Sequence, residues 1–111
     1  MNFEKSNMLV SVGDNLIPEQ TMTMAKKASI FPSNYPKYLK SAEGCMVTDI
    51  DGNSFIDYTM GLGVFTLGYN YPSVIKAVKN QMNDGTVFSL PHEIEVKLAQ
   101  QLVNIIPSAE K

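Results

Sequence analysis

Residues 44–72 read GCMVTDIDGNSFIDYTMGLGVFTLGYNYP, and the rest of the chain is organised around this stretch. Apolar residues fall at Cys45, Val47 and Ile50 before an Asp51-Gly52 pair, and at Phe55, Ile56 and Tyr58 after it. Asp-Gly between two such runs predicts a β-hairpin whose two central residues take positive φ, and Asn53 adds to the turn chemistry. The strand setting predicts Cys45 as a small buried hydrophobe. Gly61, Gly63 and Gly68 follow, interleaved with Leu62, Val64, Phe65 and Leu67. A glycine-rich apolar loop implies that backbone comes close to another segment or to a ligand.

Upstream, Tyr38-Leu39-Lys40 adds a third short strand to 45–49 and 54–58, which together predict an antiparallel meander. Downstream, Val74, Ile75, Val78 and Met82 form a helical stripe over 71–84, with Pro72 at its first position and Gly85 placed to end it. A second helix over 92–106 follows from Ile94, Leu98, Leu102 and Ile105, bounded by Pro91 and Pro107, with Glu93 and Lys97 paired across one turn. Both stripes read as packing faces. A weaker stripe of Phe3, Met8, Leu9, Val12, Leu16 and Ile17 predicts a helix over 1–17, against which Gly13 counts and which Pro18 ends. Residues 21–36 have no period and are punctuated by Pro32, Ser33, Asn34 and Pro36, so they read as a connecting loop. The expected fold class is an α+β segment: a short antiparallel meander with two or three helices. It divides into 1–36, a helix and loop, and 37–111, the meander, glycine loop and two helices.

Composition excludes several function classes. The chain has 111 residues and a formal charge of −2, so it carries no electrostatic footprint for nucleic acid or for an anionic membrane. No apolar run reaches membrane-spanning length, and the N-terminus lacks a secretory apolar core, which points to the cytoplasm. All nine basic residues are lysine, which removes the bidentate arginine clamp for carboxylate or phosphate. Cys45 is the one cysteine, so there is no internal disulfide. Asp49, Asp51 and Asp57 cluster near the turn without His or Cys at ligand spacing, and they read as solvent-exposed turn caps with no metal. His92, the one histidine, has no nucleophile to activate and reads as a surface residue. Ser89 reads as a helix-start residue.

The set Gly44, Asp49, Asp51-Gly52-Asn53, Phe55-Ile56-Asp57-Tyr58, Leu62-Gly63, Leu67-Gly68, Asn70 and Pro72 resembles the class III pyridoxal-phosphate aminotransferases, within them the glutamate-1-semialdehyde aminomutase-like branch. The resemblance continues through Phe88-Ser89-Leu90-Pro91, Glu95-Val96 and Ile106-Pro107. It implies the N-terminal part of a fold type I α/β enzyme that is a homodimer when complete. That enzyme would move an amino group through a cofactor imine, on a small amino, keto or aldehyde substrate. It also implies substrate-side positions at Thr23, Lys26, Gly61, Leu62, Gly63 and Ser89.

Three departures from the family pattern bear on specificity. Thr23 and Lys26 stand where the aminomutase has a serine and an arginine for the substrate carboxylate, and lysine keeps the charge but loses the fork. The competing reading of Lys26 is a solvated surface lysine. Leu62 stands where a tryptophan is usual, which removes stacking area. Glu19 and Gln20 stand where many relatives have paired glycines. The resemblance places the phosphate loop, the pyridinium partner and the Schiff-base lysine beyond Lys111, so no cofactor-binding residue is expected within 1–111 and the chain alone is expected not to catalyse. Aminotransferase and aminomutase are not separated by this segment. The alternative is a non-enzymatic remnant or split-gene subunit that associates with a partner chain, since one-sided apolar helices leave exposed hydrophobic surface.

Overall fold

The computed structural model describes residues 1–21 and 23–110. The chain groups into two compact units, Met1–Ile75 and Lys76–Lys111. The first unit joins the N-terminal segment to the meander. Its elements are helix α1 (Glu4–Leu16), three single 3-10 turns between Pro18 and Ile30, strands β1 (Leu39–Glu43), β2 (Met46–Asp49) and β3 (Ser54–Ile56), and a four-residue turn, α2 (Met60–Gly63). The α+β meander expected from the residue pattern is present, in the order β1-β2-β3 with both pairings antiparallel. Val47 sits at its centre, opposite Ala42 on one side and Phe55 on the other, and it is buried together with Ala28.

Both hairpin turns correct the sequence reading. The β2–β3 connection is a three-residue loop: Gly52 N–H donates to Asp49 O at 3.2 Å, and Asp49 N–H donates to Asn53 O at 2.9 Å. Only Gly52 has positive φ (90°), while Asp51 does not, so this is a type I turn closed by a glycine bulge instead of a two-residue Asp-Gly turn. Cys45 is exposed. It lies outside the strands, in the two-residue turn that Gly44 opens at φ 55° between the paired Glu43 and Met46.

The acidic cluster also differs from expectation. Asp49 is fully buried. Its Oδ1 accepts the N–H groups of Asp51 (3.0 Å) and Asn53 (2.8 Å), and its Oδ2 accepts the Asn53 side-chain amide at 2.8 Å. Burial is tolerated because the loop itself supplies these donors. Asp51 turns away from its own hairpin. Its carboxylate accepts the N–H of Lys5 at 2.8 Å and of Ser6 at 3.0 Å, so a residue of the meander caps α1. The cap position Phe3 offers no side-chain acceptor of its own. The apolar residues of α1 are largely exposed (Met8 62%, Leu16 73%), whereas Ser6 and Gly13 are buried. Gly13 has a packing reason: a Cβ there would lie 2.9 Å from Gln20 Oε1.

Two segments adopt left-handed backbone. Glu19 and Gln20 have φ of 59° and 57°. Gln20 is held by three side-chain contacts: Tyr38 Oη donates to its Oε1 at 2.6 Å, and its amide reaches Val10 O at 3.0 Å and Asp14 Oδ1. Glu19 pairs with Lys27. The second segment is α2, where Met60, Gly61, Leu62 and Gly63 have φ of 47°, 59°, 62° and 92°. Left-handed backbone costs an L-residue roughly 1–2 kcal/mol, so Met60 and Leu62 together store about 2–4 kcal/mol.

In the second unit, α4 (Glu93–Ile105) begins with a capping box. His92 Nδ1 accepts the Ile94 N–H at 3.2 Å, and the His92 N–H donates to Glu95 Oε1 at 2.9 Å. His92, not Ser89, is therefore the helix-start residue, and its ring stacks on Phe88 with centroids 5.0 Å apart. The Glu93–Lys97 pair forms at 2.6 Å. Helix α3 (Pro72–Asp84) starts on the expected proline, and Gly85 N–H closes its end on Gln81 O at 3.0 Å. The stripes expected to pack are open: Val74, Val78 and Met82 on α3, and Ile94, Leu98, Leu102 and Ile105 on α4, are 42–70% exposed.

Candidate functional site

The first unit contains a cavity of about 680 Å³. Two candidates that the sequence separates by 35 positions, Lys26 and Gly61, both line it. Lys26 ends the 3-10 turn Met24–Lys26, where its N–H donates to Thr23 O at 3.0 Å. Gly61 comes from α2. Aromatic residues contribute much of the wall, among them Phe31, Tyr35, Tyr38, Phe55, Phe65 and Tyr69, beside aliphatic and polar residues that include Lys37 and Asp57. The ammonium groups of Lys26 and Lys37 on a partly aromatic wall suit a ligand with an anionic group on an apolar body.

The other candidates lie elsewhere. Thr23 is exposed, its N–H donating to Thr21 Oγ1 at 3.3 Å. Leu62 is 80% exposed, and Gly63, also exposed, takes φ 92°. Neither is in the cavity lining. Ser89 belongs to the second unit, in the exposed bend before Pro91, next to a smaller cavity of about 280 Å³ lined by Gln81, Phe88, His92 and Glu95 among others.

Sequence reasoning missed the pair that brackets the glycine loop. Tyr69 Oη donates to Asp57 Oδ2 at 2.6 Å. Asp57 Oδ1 accepts the Thr59 N–H at 2.9 Å. The hydrogen bond from Tyr69 holds the Asp57 carboxyl below its ordinary value, with the N–H groups of Met60 and Thr59 adding to it. The same bond pushes the Tyr69 phenol up to about 12. Tyr69 also exchanges two backbone hydrogen bonds with Gly44, at 2.8 and 3.0 Å. Gly68 permits this approach, because a Cβ there would lie 3.0 Å from Gly44 O. The glycine loop thus comes close to a second segment of the chain. The available signal was the placement of Asp57 and Tyr69 at the two ends of the glycine run.

A pyridoxal-phosphate group would need a free lysine, an acid for the ring nitrogen and a cradle of N–H groups for the phosphate. Among the cavity residues, Lys26 is an available lysine and Lys37 donates to Asn7 Oδ1 at 2.9 Å, but Asp57, the one acid in the lining, is committed to Tyr69 and Thr59. The described residues therefore do not fit that cofactor by themselves. Among them there is also no cluster of His, Cys, Asp and Glu that could hold a metal ion, and no helix long and apolar enough to cross a membrane.

Three comparisons agree on the family. A glutamate-1-semialdehyde 2,1-aminomutase from Ignicoccus hospitalis is 36% identical over 107 residues, covering 96% of this chain and 25% of that protein. A transaminase solved with pyridoxal phosphate bound superposes with a TM-score of 0.81 at 30% identity, over 94% of this chain and 24% of its own. An omega-transaminase from Sphaerobacter thermophilus superposes with a TM-score of 0.81 at 25% identity, over 95% and 23%. The chain thus spans about a quarter of the length of the relatives it matches. The family model for Aminotransferase class-III matches residues 30–111, and the chain belongs to that family.

Proposed function

We propose that the whole protein is a pyridoxal-phosphate-dependent class III aminotransferase or aminomutase-like enzyme, and that this segment supplies the substrate-side wall of its site. The observation that carries this reading is the convergence of Lys26 and Gly61 on one aromatic cavity. Lys26 would attract the carboxylate of a small amino, keto or aldehyde substrate as a point charge, and Gly61 would let the substrate approach the backbone. Thr23, Leu62, Gly63 and Ser89 are proposed as further substrate-side positions of the complete enzyme. The cofactor, when bound, supplies the amino-group chemistry, and the groups that hold it come from outside the residues described. The complete enzyme is proposed as a cytoplasmic homodimer.

The test is a titration of the purified protein with 4-aminobutyrate and with its neutral amide, followed by amide NMR. The carboxylate should shift the 25–26 and 61 signals, and the amide should not. Lys26→Ala should abolish the shift. Equal shifts from both compounds, or shifts that survive Lys26→Ala, refute the carboxylate role. In parallel, pyridoxal phosphate with this chain alone should give no borohydride-trappable lysine adduct. A stoichiometric adduct at one lysine would place cofactor chemistry within these residues.

A second reading is favoured by the open apolar faces of α3 and α4. On it, the chain is a non-enzymatic subunit or remnant that associates with a partner chain. Light scattering tests what the two readings share: this chain alone should associate, and a monodisperse, well-folded monomer would count against both and favour an independent binding module.

A further inference from the structure

We propose that Asp57 and Tyr69 are positioning residues whose hydrogen bond clasps the loop 58–68 and holds the left-handed turn α2, so that Gly61 faces the cavity. The role of Gly61 rests on the functional reading above; the clasp itself does not.

The need for a clasp follows from the backbone of α2. Four consecutive residues have positive φ, and two of them, Met60 and Leu62, lack the conformational freedom of glycine. The hydrogen bonds at the turn are few: Leu62 N–H to Thr59 O at 2.8 Å, Val64 N–H to Met60 O, and Phe65 N–H to Met60 O at 3.2 Å. The side chains of Leu62 and Val64 are 80% and 73% exposed, so burial does not hold the turn either. Contacts at the two loop ends must over-determine it.

Both ends attach to the same hairpin turn. Asp57 N–H donates to Cys45 O at 2.9 Å, and Tyr69 exchanges hydrogen bonds with Gly44. The Tyr69–Asp57 bond at 2.6 Å then closes one end on the other across twelve positions. The Tyr69 ring passes the constraint inward. It packs on Phe65 with centroids 4.2 Å apart, and the Phe65 ring lies where a Gly61 Cβ would be, 2.6 Å from that point. The path Asp57–Tyr69–Phe65–Gly61 runs from the clasp to the cavity wall. None of these side chains is needed for the β1–β2–β3 ladder, whose pairing ends at Ile56.

The test is peptide-resolved or NMR hydrogen exchange on the purified protein and on Tyr69→Phe, which removes one oxygen and keeps the ring. The amides of Leu62 and Phe65 should exchange about tenfold faster, while those of the sheet keep their rates. Asp57→Ala should behave as Tyr69→Phe, and in it the highest-titrating phenol, read at 295 nm, should return to the ordinary tyrosine range. Unchanged exchange at 62 and 65 in Tyr69→Phe overturns the proposal. So does faster exchange in loop and sheet alike, or loss of folding in Tyr69→Phe, because the bond would then hold the fold and not the loop. If the carboxylate titration fails while the loop still opens selectively, the substrate reading falls and the clasp stands.

Discussion

The carboxylate of Asp51 accepts the backbone N–H of Ser6 at 3.0 Å, across 45 residues of sequence. With the N–H of Lys5 on its other oxygen, Asp51 does for α1 what an N-cap residue does locally. The meander thereby caps the N-terminal helix.

Asp51→Ala should fray the first turn of α1 and lower the melting temperature. Exchange at the Lys5 and Ser6 amides should speed up while Val47 stays protected, and an unaltered first turn would refute the cap. The pH dependence has a definite sign. Desolvation raises the Asp51 carboxyl, but the hydrogen bonds from Ser6 and Lys5 and the Lys5 charge outweigh it and hold the group below its ordinary value. Its contribution is therefore present above the unfolded value of about 3.9 and is lost as pH falls through the lowered folded value. Asp51→Ala should be less sensitive to acid than the parent over that window.

Glu19 and Gln20 share a left-handed backbone but not the same compensation. Glu19 has only an exposed ion pair with Lys27, which is worth little. Glu19→Gly should stabilise the protein by about 0.5–1 kcal/mol, the relief of φ 59° less the added chain entropy of glycine. Gln20→Gly should not stabilise, because it also removes the Tyr38 and Val10 contacts. Denaturant unfolding of the two variants side by side checks the contrast.

Gly68 is the close-approach glycine of the loop. An added Cβ meets Gly44 O at 3.0 Å with φ at 85°, and backbone cannot swing aside as a side chain can. Gly68→Ala should cost about 2–4 kcal/mol. Gly63→Ala, at φ 92° with nothing within 4 Å, should cost less, the strain term alone. Equal costs would refute the role of the Gly44 contact.

Cys45 stands exposed at the tip of the β1–β2 turn. A thiol reagent should modify it in the native protein at about the rate of a free peptide thiol, with the circular dichroism unchanged. Protection until unfolding would refute the exposed placement.

The local pattern by itself determined most of the elements. Period-two alternation placed the three strands, period 3.6 with Pro72, Gly85 and Pro107 placed α3 and α4, and the long in-register motif through 44–72 indicated the family. These signals are legible because each depends on residues within a few positions of one another. Gly44 and Gly68 were legible only as glycines; that each is the other's neighbour was not.

Tertiary structure alone decided the rest. It chose a three-residue loop over a two-residue Asp-Gly turn, because Asp49 gathers the loop's N–H groups and frees Asp51 to reach α1. It exposed Cys45 by ending β1 and β2 one residue to either side of Gly44-Cys45. It brought Lys26 and Gly61 into the lining of one cavity, and it closed the glycine loop through Asp57 and Tyr69. The physical reason is common to all four. A short-range pattern states which backbone conformation a segment prefers, whereas the partner that completes a hydrogen bond or fills a space is selected among many only when the chain has folded.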